Sequence, residues 1–394
     1  MRQEQHQFTK EPNTPRTKSL GKRGVLALTL AAAVGAAPLA IGGAPGQASA
    51  ASAATAAAVS AAVTSAAAPA YVVKQQPFQI GGSAATISVL NQYGTTYVGL
   101  RMLNDKLGLQ TGWDQASHTA TVSGNGRTLK LNLATGSTKL NDQTIYGLPG
   151  MLVDNSTYVP LRFLLERMGY TVSYDAAHVI GIEKIEENAL TVGTGTITES
   201  DEKQKLSLEV NYPIVSGFSD AAVQDKINAF LKSEAESHAA AGKQELEQAA
   251  KDIAAYMAGS GDDLPAVEFQ GSYYVTYNEN NLLSLYVDYY EYTGGAHGGT
   301  VRVPYTFDLS TGEALTLKEA AKGNADYVSI INAEIAKQIE EKDIPLIAPF
   351  ETIEPDRAFY LNHNGLVIFF GQYEYTAYAY GMPEFVIPLN AFQD

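Results

Sequence analysis

The sequence predicts an α+β fold: two small α+β domains, the first an internally duplicated strand-helix-strand module, the second an antiparallel sheet with packed helices. Three observations predict it. Thr96-Tyr97-Val98-Gly99-Leu100-Arg101-Met102-Leu103 returns, 61 residues later, as Thr157-Tyr158-Val159-Pro160-Leu161-Arg162-Phe163-Leu164, and a fixed offset marks a duplicated structural unit. Runs such as Leu206–Val210, Ser272–Asn278, Leu282–Tyr292 and Val301–Leu309 have the alternation and aromatic content of strands. Between and after them lie segments with apolar residues three and four apart, the period of an amphipathic helix.

The repeat continues without a gap: Gly108 matches Gly169, Trp113 matches Tyr174 and Asp114 matches Asp175. In each copy a short strand runs into a helix, Leu100–Leu107 or Leu161–Met168, which Gly108 or Gly169 stops in a left-handed conformation. A strand, an Asp-led turn and another strand follow. Pro160 suits a helix start, where a missing N–H costs little; Gly99 is expected to loosen the start of the first copy.

The domain spans 73–186, and a linker is expected over 187–198, where a charge cluster precedes Gly193 and Gly195. The second domain spans 199–394. Ser219 or Asp220 opens a helix carrying Val223, Ile227, Phe230 and Leu231, and helix resumes over Lys243–Met257. Gly259–Asp263 reads as a loop, Thr316-Leu317-Lys318-Glu319 as a capping box, and Asp326–Glu340 as an amphipathic helix; Ala358–Phe370 and Phe385–Phe392 are strand-rich.

The N-terminus has the three parts of a secretory signal peptide. Six basic residues lie within the first 23, an uncharged Gly24–Gly43 stretch follows, and Ala48-Ser49-Ala50 supplies the small-x-small cleavage pattern, with Ala48 and Ala50 its small residues. The rival is an uncleaved anchor, since about 20 apolar residues span a bilayer. Pro38 and four glycines make this stretch a poor span, so cleavage after Ala50 is expected. Residues 51–72 form an Ala-rich spacer with too little bulky apolar surface for a core. The expected location is secreted or associated with the cell wall, or held at the membrane by the N-terminal segment if it stays uncleaved.

Charge narrows the partners. The chain has 27 basic and 42 acidic residues; removing residues 1–50 takes away six basic and two acidic ones and leaves a net charge of −19. That argues against nucleic acid, which calls for a basic footprint, and favours a cationic partner. There are no cysteines, so disulfides, thiolate metal sites and Cys nucleophiles are excluded. The six histidines show no metal-ligand spacing, His118 and His178 read as exposed turn residues, and no Gly-x-Ser-x-Gly elbow or phosphate loop is present. No catalytic residue, metal or cofactor is expected.

Binding chemistry is more visible. Fourteen of the 23 tyrosines fall between Tyr273 and Tyr380, and tyrosine offers a rigid contact surface with a polar tip. Along Leu282–Tyr292, alternation places Tyr286, Tyr290 and Tyr292 on one face and Tyr289 on the other. The next segment, Gly294-Gly295-Ala296-His297-Gly298-Gly299, lets the backbone approach a ligand. Two readings of His297 stand: a contact residue in a binding loop, or an imidazole whose hydrogen bonds hold a tight turn. The candidate binding residues are Tyr289, Tyr292, Gly294, Gly295, His297, Gly298, Tyr373, Tyr375 and Tyr378.

The paired Tyr-Val-Pro-Leu-Arg motifs, the Leu-Gly helix end and the Trp-Asp turn resemble the copper amine oxidase N-terminal-like domain of secreted proteins from Gram-positive bacteria. The copper and modified tyrosine of true amine oxidases belong to another domain, not seen here. Residues 199–394 resemble the extracellular domain shared by RsiV anti-sigma factors and PdaC peptidoglycan deacetylases. That resemblance rests on Tyr277-Asn278, Leu283-Ser284-Leu285, Tyr292-Thr293-Gly294-Gly295-Ala296-His297-Gly298, Phe307-Asp308-Leu309, Thr311-Gly312, Thr316-Leu317, Phe359-Tyr360-Leu361, Gly365-Leu366-Val367 and Tyr378–Gly381. The resemblance implies a sensor that binds lysozyme, or a wall-binding module; PdaC's separate catalytic domain is not seen here. The expectation is a non-catalytic envelope binding or sensing protein, its partner a lysozyme-like hydrolase or peptidoglycan. A structural wall spacer and a peptidoglycan-modifying enzyme are the alternatives.

Overall fold

The two copies of the repeat meet through the strands that lead into their helices. In the computed structural model, which describes residues 71–92, 94–145, 148–259 and 263–393, strand Thr95–Gly99 pairs antiparallel with Ser156–Pro160. Each runs straight into its helix, Leu100–Leu107 or Leu161–Arg167. The looser start expected of Gly99 does not occur. Gly99 and Pro160 hold the same extended backbone, with φ of −64° and −67°, because pairing of Gly99 with Tyr158 and of Pro160 with Tyr97 fixes the start of each helix. Gly108 and Gly169 end the helices at φ 67° and 83°. The exposed turn histidines His118 and His178 sit at φ 53° and 63°.

After the helices the copies part. Tyr170–Tyr174 and Ile180–Lys184 stay in the seven-stranded sheet that holds Thr95–Gly99 and Ser156–Pro160, whereas Gln110–Asp114 and Thr119–Gly124 begin a separate five-stranded sheet. One core joins both, from Phe78 and Val89 through Leu103 to Leu129 and Leu164.

The expected linker is largely strand. Thr191–Asp201 pairs residue by residue with Leu206–Ser216 and forms the edge of a six-stranded sheet. Its threonines, Thr191, Thr194, Thr196 and Thr198, suit a half-buried edge strand, a signal which the glycines between them obscure. The sheet continues through Val267–Glu279, Leu282–Tyr292, Gly299–Asp308 and the short Glu313–Ala314. Leu206–Ser216 and Val267–Glu279 are parallel, so the chain must cross over between them, and it does so through one helix.

That helix, Ala221–Tyr256, is continuous for 36 residues; the break expected before Lys243 is absent. Asp220 caps it, accepting from the N–H groups of Ala222 and Val223 at 3.0 and 3.1 Å. Its buried stripe is Val223, Ile227, Leu231, Ala235, Ala239, Gly242, Leu246 and Ala250. The small residues in the middle bring the helix close to the sheet, and the Phe269 ring fills the space that a side chain at Gly242 would need.

The chain closes with helix Tyr327–Glu341 packed on a three-stranded sheet of Phe359–Asn362, Gly365–Phe369 and Glu384–Ile387, with its own core around Ile331, Ile335, Ile368 and Phe385. The strand expected over Phe385–Phe392 stops at Ile387; Leu389–Phe392 is a 3₁₀ turn after Pro388. The capping box at Thr316 forms, with Thr316 and Glu319 exchanging hydrogen bonds.

Residues Pro69–Asp394 make one compact unit. Buried Gln143 holds the repeat module to the six-stranded sheet, donating to Tyr273 O at 2.7 Å and accepting from Tyr273 N–H at 3.1 Å. The signal-peptide reading, including Ala48 and Ala50, and all of the spacer before Tyr71 lie outside the described residues.

Candidate functional site

The Gly-rich connection joins two paired strands, with Glu291 opposite Gly299. Its glycines have different duties. Gly294 sits at φ 87° and its missing side chain makes room for Ile253. Gly298 is buried, and an added Cβ would lie 2.4 Å from the Tyr290 ring and 2.5 Å from Glu291 O. Gly295 is exposed and open; its carbonyl accepts from the hydroxyl of half-buried Tyr292 at 3.0 Å.

These contacts hold His297 outward. Its Nδ1 donates to Gly298 O at 2.9 Å, and its Nε2 is hydrogen-bonded to the Tyr373 hydroxyl at 3.1 Å. The imidazole lies flat on Tyr378, ring centroids 4.0 Å apart and planes 21° apart, and Tyr373 lies 5.5 Å from Tyr378 at 31°. Tyr378 donates its hydroxyl to Gly298 O at 2.9 Å, and Gln372 accepts from Thr300 N–H at 2.9 Å, so the second Tyr-rich segment is pinned on the loop. The turn-holding reading of His297 therefore describes its Nδ1, while the rest of the ring stays exposed.

The fold thus brings Tyr292, Gly294, Gly295, His297, Gly298, Tyr373 and Tyr378 together. Tyr373 is 51% exposed and sits at φ 64°, a region where bulky side chains are rarely found and where backbone strain tends to gather at functional positions. Two candidates belong elsewhere. Tyr289 is 1% exposed and stacks on His238 at 4.1 Å under the long helix, so it is a core residue and not part of a binding surface. Alternation had placed it on the opposite face from Tyr292, and that face carries the helix. Tyr375 turns inward onto Phe370, at 4.4 Å, and Phe350.

The second tyrosine cluster also leaves Tyr380 exposed, and beside its backbone stands Ile347, which the sequence reading missed. Tyr380 is 45% exposed, and Ile347, 58% exposed, donates its N–H to Tyr375 O. Ile347 gives no motif signal; the bridge from Leu346 to Thr376 brings it beside Tyr375. Behind the loop, Glu291 approaches Glu245 of the long helix. Burial first, then the hydrogen bond and repulsion from Glu245, push its carboxyl up to about 8. Among the described residues, no group of three or more potential ligands is placed to hold a metal ion.

Comparison with known proteins divides the chain into three matched segments. Residues 79–180 match the copper amine oxidase N-terminal domain, 199–300 the family described as deacetylase PdaC, and 320–390 a protein family of unknown function, DUF3298. The chain is 27% identical to the anti-sigma-V factor RsiV of Bacillus subtilis over 207 residues, 49% of this chain and 67% of RsiV. Crystal structures of DUF3298 proteins from Bacteroides fragilis and Pseudomonas aeruginosa align at 18% identity, with TM-scores of 0.40 and 0.29. Each alignment covers 51% of this chain and 91% of the other. The expected order of domains is therefore present, with the expected RsiV/PdaC-like domain divided between the PdaC and DUF3298 models.

Proposed function

We propose that this protein is an exported, non-catalytic envelope sensor that captures a cationic wall hydrolase of the lysozyme type on the His297–Tyr378–Tyr373 face. The observation that carries the reading is the exposed ring stack, assembled from two distant segments. Rigid aromatic groups with polar tips make strong protein contacts at little entropic cost. The acidity of the chain supports a basic partner, whose approach it accelerates, and the RsiV and PdaC likenesses support an extracellular, envelope-associated role.

The test is binding of the purified protein to immobilised hen lysozyme, with co-sedimentation on purified peptidoglycan as the competing arm. Lysozyme should bind, more slowly as salt rises, and Tyr373→Ala with His297→Ala should weaken it at least about tenfold while circular dichroism is unchanged. Retention on peptidoglycan without lysozyme binding, or lysozyme binding indifferent to these substitutions, overturns the proposal. N-terminal sequencing of protein recovered from envelope and culture medium tests export and cleavage after Ala50.

A further inference from the structure

A second site lies away from the ring stack, where the repeat module, the six-stranded sheet and the C-terminal sheet converge. A cavity of about 280 Å³ opens there. Its charged lining is almost fully paired. Arg127 meets Glu187 at 2.6 Å, Arg162 meets Glu166 at 2.9 Å, His363 meets Glu279 at 3.0 Å, and Glu384 meets Arg302 at 2.5 Å.

Arg167 is the exception. It ends helix Leu161–Arg167, donates Nη1 to Phe163 O at 3.0 Å and lies 3.9 Å over the Phe163 ring. Among the described residues no carboxylate stands within ion-pair distance of it, and its Nε is buried without a hydrogen-bond partner. A desolvated cation with no carboxylate in contact is costly. Burial accordingly pulls its guanidinium below the usual range.

A second orphan faces the same cavity. Thr276 Oγ1 is also buried without a partner. The register between Val267–Glu279 and Leu282–Tyr292 slips between Val275 and Tyr277, so Thr276 is the extra residue of a β-bulge. Bulges re-aim side chains, often beside functional sites. The same cavity has an aromatic lining: the rings of Tyr274 and Tyr286 lie 5.1 Å apart, and those of Tyr286 and Tyr360 5.2 Å apart. Asn125, Asn362 and Asn364 complete the rim.

We propose that this cavity binds an acidic sugar unit: a pyranose whose carboxylate pairs with Arg167, whose hydroxyls meet Thr276 and the rim amides, and whose C–H face packs on the tyrosines. The volume suits one ring of this size, and a carboxylate satisfies the arginine where a neutral sugar does not.

The test is titration of the full chain, by calorimetry and ligand-observed NMR, with D-glucuronate against D-glucose and N-acetylmuramic acid against N-acetylglucosamine. The acids should bind at least about tenfold more tightly than their neutral partners. Arg167→Gln should abolish that preference, Arg167→Lys should keep part of it, and Thr276→Val should weaken the acids without altering the fold. Equal binding of acid and neutral sugars, no binding of either, or a preference that survives Arg167→Gln overturns the proposal. If Arg167→Gln does not fold, the wild-type comparison and Thr276→Val decide. Tyr373→Ala, in the ring stack, should leave sugar binding unchanged.

Discussion

His297 and Tyr378 lie face to face, ring centroids 4.0 Å apart and planes 21° apart, and both bond to the carbonyl of Gly298. One carbonyl thus organises two rings from different segments, while its own residue is fixed by the Tyr290 ring behind it. Geometry of this kind separates loss of contact from loss of shape.

Tyr378→Phe keeps the stack and removes the hydroxyl donation, so stability should fall by about 1 kcal/mol and lysozyme binding should persist, slightly weakened. Tyr378→Ala removes the ring on which His297 rests; an aromatic pair contributes about 0.5–1.5 kcal/mol beyond burial, and lysozyme affinity should fall at least about tenfold. Chemical denaturation and surface plasmon resonance on both variants separate the two effects.

Gly242→Ala should destabilise the protein although alanine favours a helix by about 1 kcal/mol. The new methyl would stand 2.5 Å from the Phe269 ring, and overpacking of a filled core costs about 1–3 kcal/mol. A urea midpoint below wild type is the expected outcome. Gly242→Ala with Phe269→Leu should recover part of the loss.

Glu291 makes stability depend on pH. In the fold, burial and the neighbouring Glu245 push its carboxyl up to about 8, against an ordinary value of about 4.3 in the unfolded chain. The unfolded state therefore releases the proton first, and the contribution is fully present below about pH 4 and lost as pH rises towards about 8. Glu291→Gln should be more stable relative to wild type at about pH 8.5 than at about pH 5, read as the difference in Tm at each pH.

The Arg302 side chain is 8% exposed and grips Asp288 through two bonds, at 2.8 and 2.9 Å, while reaching Glu384 and lying 3.8 Å over Tyr286. Arg302→Ala strands a buried carboxylate and should cost about 3–5 kcal/mol. Asp288→Asn with Arg302→Met should lose less than Arg302→Ala alone, because the buried Asp288 charge is removed with its partner. Guanidinium denaturation of the three proteins checks the order.

Much of the fold was legible because the signals are local. The matched Tyr-Val-x-Leu-Arg segments and their following glycines mark both helices of the repeat, since a strand running into a helix and a left-handed stop are properties of a few adjacent residues. The capping box at Thr316 was legible for the same reason. Residues 187–198 were misread because their glycines resemble linker composition; what makes Thr191–Asp201 a strand is the partner Leu206–Ser216. The long helix was misread at Gly242, where the reason for glycine is a phenylalanine on the opposite sheet.

The candidate site divides along the same line. The order of residues alone shows that a Gly-flanked histidine follows a Tyr-rich strand, that a second Tyr cluster lies near the end of the chain, and that the chain is strongly acidic. Folding is what brings His297 to Tyr373 and Tyr378, turns Tyr289 and Tyr375 inward, and sets Arg167 and the bulged Thr276 on one cavity. Exposure and pairing depend on what packs against each face, and here the deciding partners are the long helix, the C-terminal sheet and the repeat module.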